Sequence, residues 1–87
     1  MKQTSNQPAQ GNDLPYFDYR GLKCPLPVLK ARRALGAHQK GEGIQILADD
    51  PAAPLDMMHF CDTEGHQLEA CDELDGYFRF TIIKGVS

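Results

Sequence analysis

The 87 residues, with 41% hydrophobic content and seven aromatics (three Tyr, four Phe), suffice for one small domain around a single core and exclude a second domain. No apolar run approaches the roughly 20 residues that cross a bilayer, and residues 1–15, MKQTSNQPAQGNDLP, lack the apolar stretch of a secretory signal. Three cysteines, an odd number, fit free thiols in a reducing cytoplasm better than a disulfide framework, and a net charge of −3 disfavours nucleic acid as a direct partner.

Residues 1–15 are rich in Gln, Asn, Pro and Gly and read as a flexible lead-in, so the domain is expected over 16–87. Tyr16 to Tyr19 (YFDY) predicts a short first strand. Gly21 allows a turn, and Pro25 suits the first position of a helix that runs to about His38, with Gly41 and Gly43 beyond it. Ile44 to Ala48 (IQILA) predicts the second strand. Asp49, Asp50 and Pro51 then signal a helix start, although Pro54 would remove a hydrogen bond and points to regular helix from Pro54 to about Glu64. His66 to Asp72 and Tyr77 to Lys84 flank the Asp75–Gly76 turn and predict a hairpin.

The order β, α, β, α, β, β predicts an α+β two-layer sandwich: a mixed four-stranded sheet carrying two helices on one face. Strands one and two are expected to be parallel across a crossover, the last two antiparallel.

At 100° per residue, Val28, Ala31, Ala34 and Leu35 share one side of the first helix, its predicted core face. Leu26, Leu29, Lys30 and Arg33 fall together on the other. Residues 20–40 hold six cations and no acid, whereas residues 41–78 hold ten of the twelve acids and no Lys or Arg. A bland reading makes each run a solvated face. Two leucines among cations beside a cysteine point instead to a docking surface of Arg20, Lys23, Leu26, Leu29, Lys30 and Arg33. The second helix groups Ala53, Met57, Phe60 and Cys61 as core.

The chemistry centres on Lys23–Cys24–Pro25–Leu26–Pro27. As an N-cap, Cys24 would face the positive helix end, and its sulfur would accept a hydrogen bond from the Leu26 N–H. Two prolines in the first turn delete N–H groups that lack partners there, so they stiffen the entry without breaking the helix. Lys23 and Arg20 are expected to add positive potential and favour the thiolate, the reactive form. The alternative, a small buried cysteine, has no use for such an entrance.

The stretch DYRGLKCPLPVLKARRAL resembles the signature of the TusA/SirA family of small sulfur carriers, in which a CPxP motif follows D-x-x-G-L-x. Asp18, Gly21, Leu22, Cys24, Pro25 and Pro27 match it. The likeness continues through ADDPAAPLDMMHFCDTEGHQLEA, including Phe60, Cys61, Gly65 and His66, and spans residues 16 to 84. It implies a βαβαββ sandwich and a persulfide formed on Cys24. The donor would be a cysteine desulfurase or rhodanese and the recipient an acceptor protein, in tRNA 2-thiouridine synthesis or other sulfur metabolism. The chain is expected to be a cytoplasmic monomer without cofactor, metal or membrane contact, and to show no turnover unless donor and acceptor proteins are present.

Two rival readings remain at this point: a thiol-redox protein pairing Cys24 with Cys61, and a regulatory module that binds partners through the basic helix alone. His59, Cys61, His66 and Cys71 lack the spacing of a zinc knuckle. Cys61 is expected to be inert packing, and Cys71, alternating with Leu68 and Ala70, to lie on the helix-free side of the sheet.

Overall fold

The computed structural model describes residues 14–85. Its elements are β1 (Tyr16–Asp18), α1 (Leu26–Gly36), β2 (Gly43–Ala48), α2 (Ala53–Glu64), β3 (Gln67–Leu74) and β4 (Tyr77–Ile83), in the sheet order β1-β2-β4-β3. β1 runs parallel to β2, and β4 is antiparallel to both β2 and β3. The mixed two-layer sandwich is therefore the one the element order predicts.

The core follows from the two periodicities. On β2, Ile44, Ile46 and Ala48 stand opposite Ile82, Phe80 and Phe78 of β4, and directly paired residues point to the same face. Ala31 and Leu35 of α1, with Ala53, Met57, Phe60 and Cys61 of α2, close over that face. Val28 and Ala34 pack half-buried at its margin. Both predicted helix faces hold. Each fully buried large side chain, such as Phe80, Ile46 or Met57, contributes about 1.5–3 kcal/mol by leaving water.

The opposite face is polar. Gln45 donates from Nε2 to Thr81 Oγ1 at 3.3 Å, and Arg79 pairs with Asp72 at 3.2 Å. Only one face of the sheet thus needs a second layer.

Several boundaries shift. The lead-in expected over residues 1–15 lies outside the described residues except for Leu14 and Pro15, and the Pro15 carbonyl accepts a hydrogen bond from the Gln45 N–H at 2.9 Å. β1 ends at Asp18, although the Tyr19 N–H still reaches the Leu47 carbonyl at 2.8 Å. α1 ends at Gly36, and the N–H groups of Ala37 and His38 fold back onto the carbonyls of Ala34 and Leu35. α2 begins one residue earlier than expected, because Pro54 sits at its second position, where no intrahelical N–H bond is lost. The β3–β4 turn is as predicted, with Gly76 at φ 86°, a conformation that glycine alone adopts without steric cost.

Cys71 is a correction. A register shift between Leu68 and Ala70 leaves Leu68 opposite Ile82, Ala70 opposite Thr81 and Cys71 opposite Phe80. The extra residue breaks strict alternation. Leu68 and Cys71 therefore point to the helix-bearing side, and Cys71 stays exposed there on an edge strand.

Candidate functional site

The loop between β1 and α1 crosses the end of β2 and is held there by two consecutive carboxylates. The Gly21 N–H donates to Asp49 Oδ1 at 3.0 Å, and the Cys24 N–H donates to Asp50 Oδ2 at 3.0 Å. The other oxygen of Asp50 accepts from the Ala52 N–H at 2.8 Å, so one side chain joins the cysteine loop to the entrance of α2. Gly21 has φ 89°, which a side chain would strain, and this explains the glycine at that turn.

The cap is not the one expected. Cys24 lies one residue outside the helix: Pro25 is the capping residue, Leu26 the first helical residue and Pro27 the second. The Cys24–Pro25 peptide is cis. The Leu26 N–H donates to the Lys23 carbonyl at 2.8 Å rather than to the sulfur, and the first helical bond joins the Leu29 N–H to the Pro25 carbonyl at 3.1 Å. Pro27 is buried, so it anchors the helix start against the core as well as stiffening it.

Cys24 is exposed and opens onto a groove of about 270 Å³ between the two helices. Val28 and Arg32 of α1 form one wall. Asp56, His59, Phe60 and Thr63 of α2 form the other. Arg32 bonds Glu64 through Nε at 3.1 Å and closes the far end.

The electrostatics reverse the expectation. The Cys24 thiol is pushed up from its ordinary value: first by the neighbouring Asp56 carboxylate, which as an acceptor favours the protonated sulfur, then by partial removal from water, then by the charges of Asp56 and Asp50. Adjacent carboxylates disfavour a thiolate. Arg20 does not offset them, because it forks onto Asp18 (Nε to Oδ1 and Nη2 to Oδ2, each 2.8 Å) and lies 4.8 Å from the centroid of the Tyr77 ring. In return, Arg20 holds the Asp18 carboxyl at about 2.

The proposed docking residues separate accordingly. Lys23, Leu26, Leu29, Lys30 and Arg33 are all exposed along the start and outer side of α1, with Leu26 and Leu29 44% and 47% exposed. Arg20 is engaged elsewhere. On α2, Leu55 and Met58 are more exposed still, at 67% and 53%.

Neither those two residues nor Asp56 stands out in the sequence, and His59 enters there only as a rejected zinc ligand. Asp56, His59 and Thr63 recur at helical spacing on one stripe of α2 and line the groove together, a polar stripe that periodicity alone assigns to solvent. The aspartate pair after β2 was read as a helix-starting signal, which accounts for Asp50 and Ala52 but not for the bonds to Gly21 and Cys24.

The remaining thiols differ. Cys61 is 2% exposed, and burial pushes its thiol up to about 11, leaving it a poor redox partner for Cys24. Partial burial and the charges of Asp72 and Glu73 also raise Cys71. Among the described residues, no group of three or more His, Cys, Asp or Glu side chains gathers at metal-binding distances. No helix among them is long and apolar enough to cross a membrane.

Comparisons with known proteins bear on this same site. The family described as sulfurtransferase TusA matches residues 16–84. Two Neisseria meningitidis proteins named for sulfur carriage, from serogroups A and B, are each 45% identical over 66 residues, which cover 76% of this chain and 89% of theirs. The crystal structure of a SirA-like protein from Desulfitobacterium hafniense superposes with a TM-score of 0.72 at 26% identity, covering 84% of this chain and all of that one.

Proposed function

The chain belongs to the TusA sulfurtransferase family, and on that premise we propose that it carries sulfane sulfur as a persulfide on Cys24. The observation that carries this reading is the placement of Cys24: an exposed thiol at the mouth of a groove, in a loop fixed by Asp49 and Asp50. A fixed, accessible sulfur suits transfer between two protein surfaces.

In the accepting step, the Cys24 sulfur attacks the outer sulfur of a donor persulfide. A sulfur–sulfur bond forms on Cys24, the donor's sulfur–sulfur bond breaks, and the thiol proton passes to the departing donor thiolate, with no net oxidation. Handing on repeats the exchange with the roles reversed.

The donor is a cysteine desulfurase or a rhodanese-type protein, and the recipient is an acceptor protein in the cytoplasm, with tRNA 2-thiouridine synthesis or other sulfur metabolism as the destination. The exposed face of Lys23, Leu26, Leu29, Lys30 and Arg33 supports docking of partners of complementary charge.

The test is to incubate the protein with a cysteine desulfurase and cysteine, and then measure intact mass. One added sulfur, removable by reductant and missing from Cys24→Ser, is the expected result. Absence of that adduct with both desulfurase and rhodanese donors overturns the carrier reading.

A further inference from the structure

The groove beside Cys24 carries an uneven charge. Arg32 and Glu64 neutralise one another at its far end. Asp56, which lines the groove with Cys24, forms no ion pair among the described residues, and Asp50 accepts a hydrogen bond from the Cys24 N–H. Lys23 precedes the cysteine in the loop, and His59 follows Asp56 on the same wall of α2. Of the Asp, Glu, Lys and Arg side chains that line the groove, Asp56 alone therefore lacks an ion-pair partner among the described residues.

Resting on the carrier reading, we propose that Asp56 is a specificity-determining residue of the sulfur-accepting site: its carboxylate biases Cys24 against small anionic sulfane-sulfur donors, thiosulfate and hydropolysulfide among them, and towards sulfur presented on the cysteine of a docked protein.

The bond changes show why charge decides. With thiosulfate, the Cys24 thiolate attacks the sulfane sulfur, a new sulfur–sulfur bond forms, the old one breaks and sulfite leaves. A thiolate and a dianion must converge beside the Asp56 carboxylate, and like charges at such separations repel even in a partly hydrated site. A small dianion brings nothing to offset that repulsion. A donor protein brings its own contacts, including those available along the exposed face of α1, and can carry cations into the site.

The same carboxylate disfavours ionisation of the resting thiol, so unassisted reaction is slowed for every reagent. Selectivity must therefore be read as a ratio between reagents rather than as a single rate.

The experiment uses the full chain carrying Cys71→Ser, which leaves Cys24 as the accessible thiol. Rate constants are measured with the neutral disulfide dithiodipyridine and the dianionic disulfide dithiobis(nitrobenzoate), each normalised to free cysteine. The neutral-to-anionic ratio should exceed that of free cysteine. It should fall about 3- to 10-fold in Asp56→Asn and be retained in Asp56→Glu. His59→Gln should move it by less than about twofold. Without any substitution at Asp56, added salt should raise the rate with the dianion more steeply than the neutral rate, because screening weakens the repulsion between reagent and carboxylate as well as the hold on the thiol proton.

Thiosulfate gives the sulfur-transfer counterpart: Asp56→Asn should acquire the added sulfur faster than the protein with Asp56 intact. A ratio unchanged in Asp56→Asn, or a dianion rate that gains no more from salt than the neutral rate, overturns the proposal. A Cys24 that loads from a protein donor while its ratio ignores Asp56 refutes the charge selection and leaves carriage standing. A ratio that follows Asp56 in a protein no donor can load refutes carriage and leaves the selection standing.

Discussion

The two helices that flank the groove differ in charge. α1 and the loop before it present Lys23, Lys30 and Arg33 and no acid, whereas α2 and its approach present Asp50 and Asp56. The cations are the cysteine's neighbours in sequence, yet the carboxylates are its neighbours in space, one of them 26 positions away. The contrast separates two tasks. On the proposed function, one side of the site would draw a partner in, and the other would set how readily the sulfur reacts once the partner is there.

The largest effect should come from removing the atom both sides serve. Cys24→Ser should retain the fold, judged by circular dichroism, and lose all desulfurase-dependent mass gain. Retained loading would move the carrier function to another thiol and make the contrast irrelevant.

Next in size is Met57→Ala. Met57 is fully buried on α2, one residue from Asp56, and its truncation should cost about 2–5 kcal/mol in urea unfolding. If α2 is the wall that restrains the thiol, the variant should also alkylate faster at Cys24 under native conditions. A stability loss with unchanged alkylation would sever the link between the core and the thiol.

Reversing the cationic side comes third. The double variant Lys30→Glu/Arg33→Glu should raise KM for a desulfurase donor by about tenfold at low salt, with kcat little changed. Addition of salt should narrow the gap between the variant and the unsubstituted protein. Equal KM values would show that α1 does not face the donor.

The smallest effect sharpens the acidic side. The rate of Cys24 alkylation by iodoacetamide follows the thiolate fraction, and the raised thiol places its midpoint above the pH of an ordinary cysteine. Asp56→Asn removes the charge that disfavours the thiolate, so the midpoint should move to lower pH. A midpoint that stays put would show that α2 does not hold the proton.

Much of this arrangement was legible in the chain itself. Periodicity placed Ala31 and Leu35 on one face and Leu26 and Leu29 on the other, because a helix repeats its facing every 3.6 residues whatever it packs against. The hairpin was legible because Asp75 and Gly76 are local turn chemistry. What escaped depended on contacts across the fold. The Leu26 N–H had two conceivable acceptors, and only the path of the loop decides for the Lys23 carbonyl. The extra residue in β3 shows as no break in the pattern, since Leu68 and Ala70 are both apolar. Asp56 looked like an ordinary acid in the first turn of a helix, and no spacing rule brings it to Cys24. The basic surroundings of the cysteine were real in sequence and misleading in space, because Arg20 turns away to Asp18 and Tyr77.

Asp50, bonded at once to the amides of Cys24 and Ala52, fastens the loop to the following helix. On the proposed reading, Cys24 would be a carrier without a swinging arm: its sulfur would sweep no further than its own side chain allows. Delivery must then be solved by the visitors, each bringing its reactive atom to a stationary post. Two proteins using such a post would have to take turns, because on that reading the place where sulfur is received is also the place where it is given away.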